Sequence, residues 1–133
     1  MSDSSLHSQL PPSSAARNIQ CPGSTILEAR YPETEDSPQS AEGTAAHWVM
    51  AERVAERIVP EGTPTPNGLI VTDQMVAGAE AYYDDIVTTL APYGLGPANV
   101  IVEQPVAIPR VHALCWGTPD TYIVIQIAEG KFL

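Results

Sequence analysis

Apolar residues recur at helical spacing over about 41–59, where Ala46, Val49, Met50, Val54 and Ile58 form one stripe. Glu52, Arg53, Glu56 and Arg57 form the opposite, wet face. His47 falls beside Met50, Ala51, Val54 and Ile58, which places it on the inward stripe, where an ionisable group needs a partner. A second helix opens at Thr72, whose hydroxyl can cap the first free amides, and carries Met75, Ala79, Tyr82 or Tyr83, Ile86 and Leu90 on one face before Pro92 and Gly94 end it. A shorter helix of about two turns follows Ser13 or Ser14 and cannot pass Cys21-Pro22-Gly23. Tyr31 to Gly43 reads as an acidic loop, and Pro60 to Gly68 as a second loop. Beyond Pro97 the period becomes that of strands, over 100–108, 113–116 and 120–127, with a turn at Glu129-Gly130. The expected fold class is therefore α+β, with N-terminal helices packed on a small mixed or antiparallel sheet.

Length and charge narrow the picture. The 133 residues fit a single domain over 13–133, preceded by a polar tail over 1–12 that ends in Pro11-Pro12. Sixteen acidic against six basic side chains give a formal charge of -10, the wrong sign for gripping nucleic acid through a broad basic face. No run approaches the roughly 20 apolar residues that span a bilayer, and the N-terminus lacks the basic and apolar segments of a secretion signal, so no membrane partner and a cytoplasmic location are expected. Cys21 and Cys115 form neither a dense disulfide pattern nor a C-x-x-C pair and are read as reduced thiols.

Three polar groups stand in apolar surroundings: His47 on the helix stripe, Glu103 within VIVEQPV, and Asp120 at the head of an apolar strand. Brought together by a helix packing on a sheet, they would offer nitrogen and oxygen donors of the kind that suits Mg²⁺ or Mn²⁺. Each also has a plainer reading. His47 can be a core histidine bonded to a carbonyl, Glu103 an outward strand position, and Asp120 a turn-forming acid beside Thr118-Pro119. Trp48, Trp116 and Tyr82-Tyr83 have the shape of base-stacking platforms, but no basic residues interleave with them, which favours core packing.

The order of these residues carries a resemblance. Pro12-Ser13-Ser14-Ala15-Ala16-Arg17 leads to Cys21-Pro22-Gly23-Ser24, followed by Glu42-Gly43-Thr44-Ala45-Ala46-His47, Val102-Glu103 and Trp116-Gly117-Thr118-Pro119-Asp120. Over about residues 7–130 this resembles the N-terminal half of phage-type RecB-like exonucleases of the PD-(D/E)XK superfamily. The resemblance implies metal-dependent hydrolysis of DNA, with His47 as a helix-borne active-site group, Asp120 as a metal ligand and Glu103 as an auxiliary carboxylate. It also implies Mg²⁺ or Mn²⁺, held weakly. Some members of that family hold an iron-sulfur cluster on four cysteines; with two cysteines no such cluster is expected here.

The chain also departs from the pattern. No strand bearing (Asp/Glu)-x-Lys follows the Asp120 strand, and Glu129-Gly130-Lys131 matches only literally, astride a turn signal. A site without that carboxylate and lysine is expected to bind Mg²⁺ poorly, because the ion sheds water reluctantly. Tyr122 to Ile127 (YIVIQI) is expected to present a free edge that pairs with a protein partner or with a second copy of the chain. Two functions follow as expectations. The first is a truncated or split RecB-like DNA nuclease domain with a partial metal site, inactive alone and acting on DNA only when the site is completed. The second is a noncatalytic acidic phage protein that binds and inhibits or modulates a host protein.

Overall fold

A computed structural model describes residues 10–31, 37–128 and 130–132. The tail expected over 1–12 therefore lies, for residues 1–9, outside the described residues, as does most of the acidic part of the 31–43 loop. Helices occupy the first two thirds of the chain and short antiparallel strand pairs the last third, so the fold is α+β. The residues group into two compact units, one of 10–31 with 104–119 and one of 37–103 with 120–132.

In the first unit, a 3₁₀ turn over Pro12–Ser14 leads into α1 (Ala15–Gln20), and α2 (Ser24–Glu28) follows the Cys21-Pro22-Gly23 break. The serine expected to cap α1 does not do so. Ser14 Oγ instead accepts from Arg17 Nη2 at 3.0 Å, and Arg17 Nη1 reaches Glu28 Oε1 at 2.8 Å, tying α1 to α2. Ser24 is buried and donates to Asn18 Oδ1 at 2.9 Å, which satisfies a hydroxyl that burial would otherwise penalise. Strands β2 (Val106–Ala107) and β3 (Trp116–Gly117) pair antiparallel, Val106 opposite Gly117. A Cβ at Gly117 would lie 3.2 Å from the Pro12 ring, so this glycine is fixed by close approach. Cys115 is buried and Cys21 exposed, both as free thiols.

The second unit is built on α3 (Pro38–Val54) and α4 (Asp73–Leu90). Helix α3 begins three residues earlier and ends five residues sooner than its periodicity suggests. Ser37 Oγ accepts from Ser40 N at 3.1 Å, and Pro38 occupies the first turn, where its missing amide costs nothing. At the other end Glu56 takes a left-handed φ of 61°, and Arg57 N donates to Glu52 O at 2.9 Å, closing the helix in the manner usually reserved for glycine. Ile58, expected on the inward stripe, lies beyond this stop and is 76% exposed. Helix α4 matches its sequence pattern. Thr72 Oγ1 accepts from Met75 N, and Met75, Ala79, Ile86 and Leu90 are buried.

Two apolar clusters hold the helices. Ala45 and Val49 of α3 pack with Val71, Met75 and Ala79, while Val54 packs with Ile86 and Leu90 beneath Tyr82, Val100, Val102 and Ile123. Polar groups clasp the same pair of helices: Arg53 Nε donates to Glu80 Oε1 at 2.8 Å, and its guanidinium lies 3.5 Å from the Tyr83 ring centroid. Tyr82 packs on the second cluster and bonds Thr121 through its hydroxyl, which agrees with a packing role for this tyrosine, while Tyr83 lies against Arg53.

The strands are shorter than expected. The 100–108 run is divided into β1 (Ile101–Val102) and β2, and 113–116 supplies only β3. The YIVIQI segment is not one strand. Its start belongs to β4 (Thr121–Tyr122), paired with β1, and its end to β5 (Gln126–Ala128), paired with β6 (Lys131–Phe132), while 123–125 lie in no ladder. Gln104-Pro105 interrupts the first run, since proline has no amide to donate. Gly130, with φ 72°, makes the expected turn between β5 and β6; Glu129 lies outside the described residues. Among the described residues no helix is long and apolar enough to cross a membrane.

Candidate functional site

The three singled-out side chains come from three elements of the second unit. His47 sits near the middle of α3, Glu103 directly after β1, and Asp120 directly before β4. The β1–β4 ladder explains why the two acids meet. Val102 pairs with Thr121, and one step on, Glu103 N donates to Asp120 O at 3.0 Å. Two residues 17 apart in sequence are thereby fixed side by side at the open end of one small ladder.

His47 Nδ1 lies 3.1 Å from Asp120 Oδ1. His47 is not on the buried face as the periodicity suggests: its side chain is 49% exposed and that of Asp120 53%. Val54, one heptad further along α3, is buried because Ile86 and Leu90 cover it. The first cluster grips α3 through Ala45 and Val49 instead, so the stripe that carries His47 opens onto a cavity.

That cavity has a volume of about 720 Å³. The small and polar positions Ser40, Gly43, Thr44 and His47 of α3 form one wall, with Trp48 beside them; Pro66 and Asn67 form another, and Glu103 a third. The Pro66-Asn67 wall is anchored. Asn67 Nδ2 donates to Ala41 O on α3 at 2.7 Å, and buried Thr65 bonds Asn67 Oδ1 and Leu69 O through its hydroxyl. Thr44 Oγ1 donates to Ser40 O at 3.1 Å. Sequence reasoning finds His47, Glu103 and Asp120 but misses the rest of the lining. Ser40, Gly43 and Thr44 were accessible to it, since with His47 they fall at i, i+3, i+4 and i+7. Pro66 and Asn67 carry no such signal, because a loop is brought to a helix by tertiary contact.

Glu103 adopts φ 47°, in the left-handed region that costs a side-chain-bearing residue about 1–2 kcal/mol. Its carboxylate has no hydrogen bond or ion pair among the described residues. Among the described residues no arginine or lysine lines the cavity. Three arginines are engaged elsewhere: Arg17 with Glu28, Arg53 with Glu80 and Arg57 with Glu52.

In kind, an imidazole and two carboxylates suit a divalent cation. Mg²⁺ is commonly held by one or two carboxylates together with substrate phosphate and retained water, not by an all-protein cage. The donor types here match that open manner of binding. They do not make a closed site: among the described residues no three His, Cys, Asp or Glu side chains gather as a ligand set. The His47–Asp120 pair can also act without a metal. A carboxylate on Nδ1 fixes the imidazole with its proton there, leaving Nε2 to accept a proton from a bound nucleophile.

A family described as "Protein of unknown function (DUF2800)" has a sequence profile that matches residues 7–130. No solved structure matches the chain.

Proposed function

The chain belongs to the DUF2800 family, and we propose that it is a RecB-like DNA nuclease module that supplies part of a hydrolytic site and is inactive by itself. The observation that carries this reading is the His47–Asp120 pair at 3.1 Å, whose histidine lines a cavity that Glu103 also lines. In this role Asp120 orients His47, His47 accepts a proton through Nε2, and Glu103 adds a second carboxylate at the cavity. A divalent cation bound there would polarise a phosphoryl oxygen and offset the charge of the DNA backbone. Among the described residues the cavity lining offers no basic group other than the imidazole for that neutralisation. Inactivity in isolation follows from that shortage.

Electron paramagnetic titration of Mn²⁺ into the purified chain, with linear DNA present, tests the reading. The expected result is weak binding, of order 1 mM, that Asp120→Asn weakens at least about tenfold, with no release of nucleotides. Mn²⁺ binding that Asp120→Asn leaves unchanged, or no binding at about 10 mM, overturns it. That outcome would favour the noncatalytic alternative, an acidic protein that binds and modulates a host protein, for which the charge of -10 is the motivation.

A further inference from the structure

We propose that the cavity between α3 and the 60–70 loop receives an arginine side chain from a partner polypeptide. The inference stands on the charge and shape of the cavity and does not require nuclease activity. Glu103, an exposed residue, lines the cavity with a carboxylate that has no partner among the described residues. Asp120, paired with His47, adds a second negative charge next to the lining.

Two larger apolar side chains border the space between the polar positions. Trp48 is half-buried, with part of its ring on the first apolar cluster and part on the cavity, and Pro66 borders the same space. A planar cation that stacks on an aromatic face while offering a fork of N–H donors to a carboxylate is a guanidinium. Ammonium would satisfy the charge but not the stacking. Among the described residues the lining contains no arginine or lysine, and Arg53 and Arg57 of the same unit are held by Glu80 and Glu52. At about 720 Å³ the cavity exceeds one side chain and admits the flanking backbone of a peptide as well. A whole-chain charge of -10 would speed the approach of a basic partner and make its binding weaken with salt.

The test is a ¹H–¹⁵N nuclear magnetic resonance titration of the full chain with the capped tripeptide Gly-Arg-Gly, in EDTA so that no divalent cation contributes. The Trp48 indole and the Gly43 and Thr44 amides are expected to shift saturably, with a Kd of order 1 mM that rises several-fold when salt increases from about 20 to about 200 mM. Glu103→Gln is expected to weaken binding about tenfold, and the same tripeptide with neutral citrulline in place of arginine to produce no saturable shift. Absence of saturation, equal binding of the citrulline peptide, or an unchanged Kd in Glu103→Gln overturns the proposal. Because the titration excludes metal and DNA, its failure leaves the Mn²⁺ experiment unaffected, and the reverse also holds.

Discussion

Gly43 shows how one residue can serve the cavity at the expense of the helix. It lies in the interior of α3, where glycine costs roughly 0.5–1 kcal/mol relative to alanine, and a Cβ built on it meets nothing within 4 Å. Packing therefore does not require a glycine there, whereas at Gly117 the Pro12 ring does. The open space beside Gly43 is the cavity itself. Gly43→Ala is accordingly expected to raise thermal stability by roughly 0.5–1 kcal/mol, read by calorimetry, while weakening arginine-peptide binding. An unchanged or lowered stability would show that the helix is strained in a way the backbone does not reveal. His47 and Asp120 were legible as chemistry from their types and their setting. Their separation of 3.1 Å was not, because they stand 73 positions apart in the chain.

Among the elements, α4 follows its sequence closely and α3 does not, and the difference has a cause. Every cue on α4 agrees: a threonine cap, an acid in the first turn, an apolar stripe of constant phase and a proline-glycine stop. Helix α3 lacks such agreement at its end: Glu56 stops it in a conformation that sequence rules assign to glycine or asparagine, which leaves Ile58 outside the helix. A charge pair braces that end. Arg57 Nη2 donates to Glu52 Oε1 at 2.8 Å, and this hydrogen bond holds the Glu52 carboxyl below its ordinary range. A carboxyl with a depressed folded-state pKa contributes stability that is present above its unfolded value, near 4.3, and is lost as pH falls through the folded value. The melting temperature of the parent chain should thus fall more steeply than that of Arg57→Gln as pH is lowered from about 6 to about 3.5. Parallel curves for the two proteins would refute a bracing role for the pair.

At the scale of the whole molecule, the excess of ten negative charges repels itself in the compact state. Raising NaCl from about 20 to about 200 mM should screen that repulsion and raise the melting temperature, even though the same salt weakens the Arg17–Glu28 and Arg57–Glu52 pairs. Exposed pairs of this kind contribute at most about 1 kcal/mol each, so the global term is expected to dominate. A melting temperature that falls with salt would assign the balance to local pairs. The short strands belong to this scale as well. The 100–127 region reads as long strands because its β-branched residues favour extended backbone, but propensity does not choose a pairing partner. Among the described residues three short two-stranded ladders result, and Tyr122–Ile127, expected as one exposed edge, is shared between two of them.

The amino-acid sequence by itself determined the fold class, helix α4 to its cap, the existence of α3, and the identity of the three polar groups. Each of these rests on local information: a period, a capping residue, or an ionisable side chain among apolar neighbours. Only the tertiary structure decided that the histidine stripe opens onto a cavity, that Asn67 carries a loop to its edge, and that the β1–β4 register sets Glu103 against Asp120. Those facts depend on contacts between segments far apart in the chain, whose relative placement is fixed by packing and strand register and leaves no periodic trace in the residues themselves.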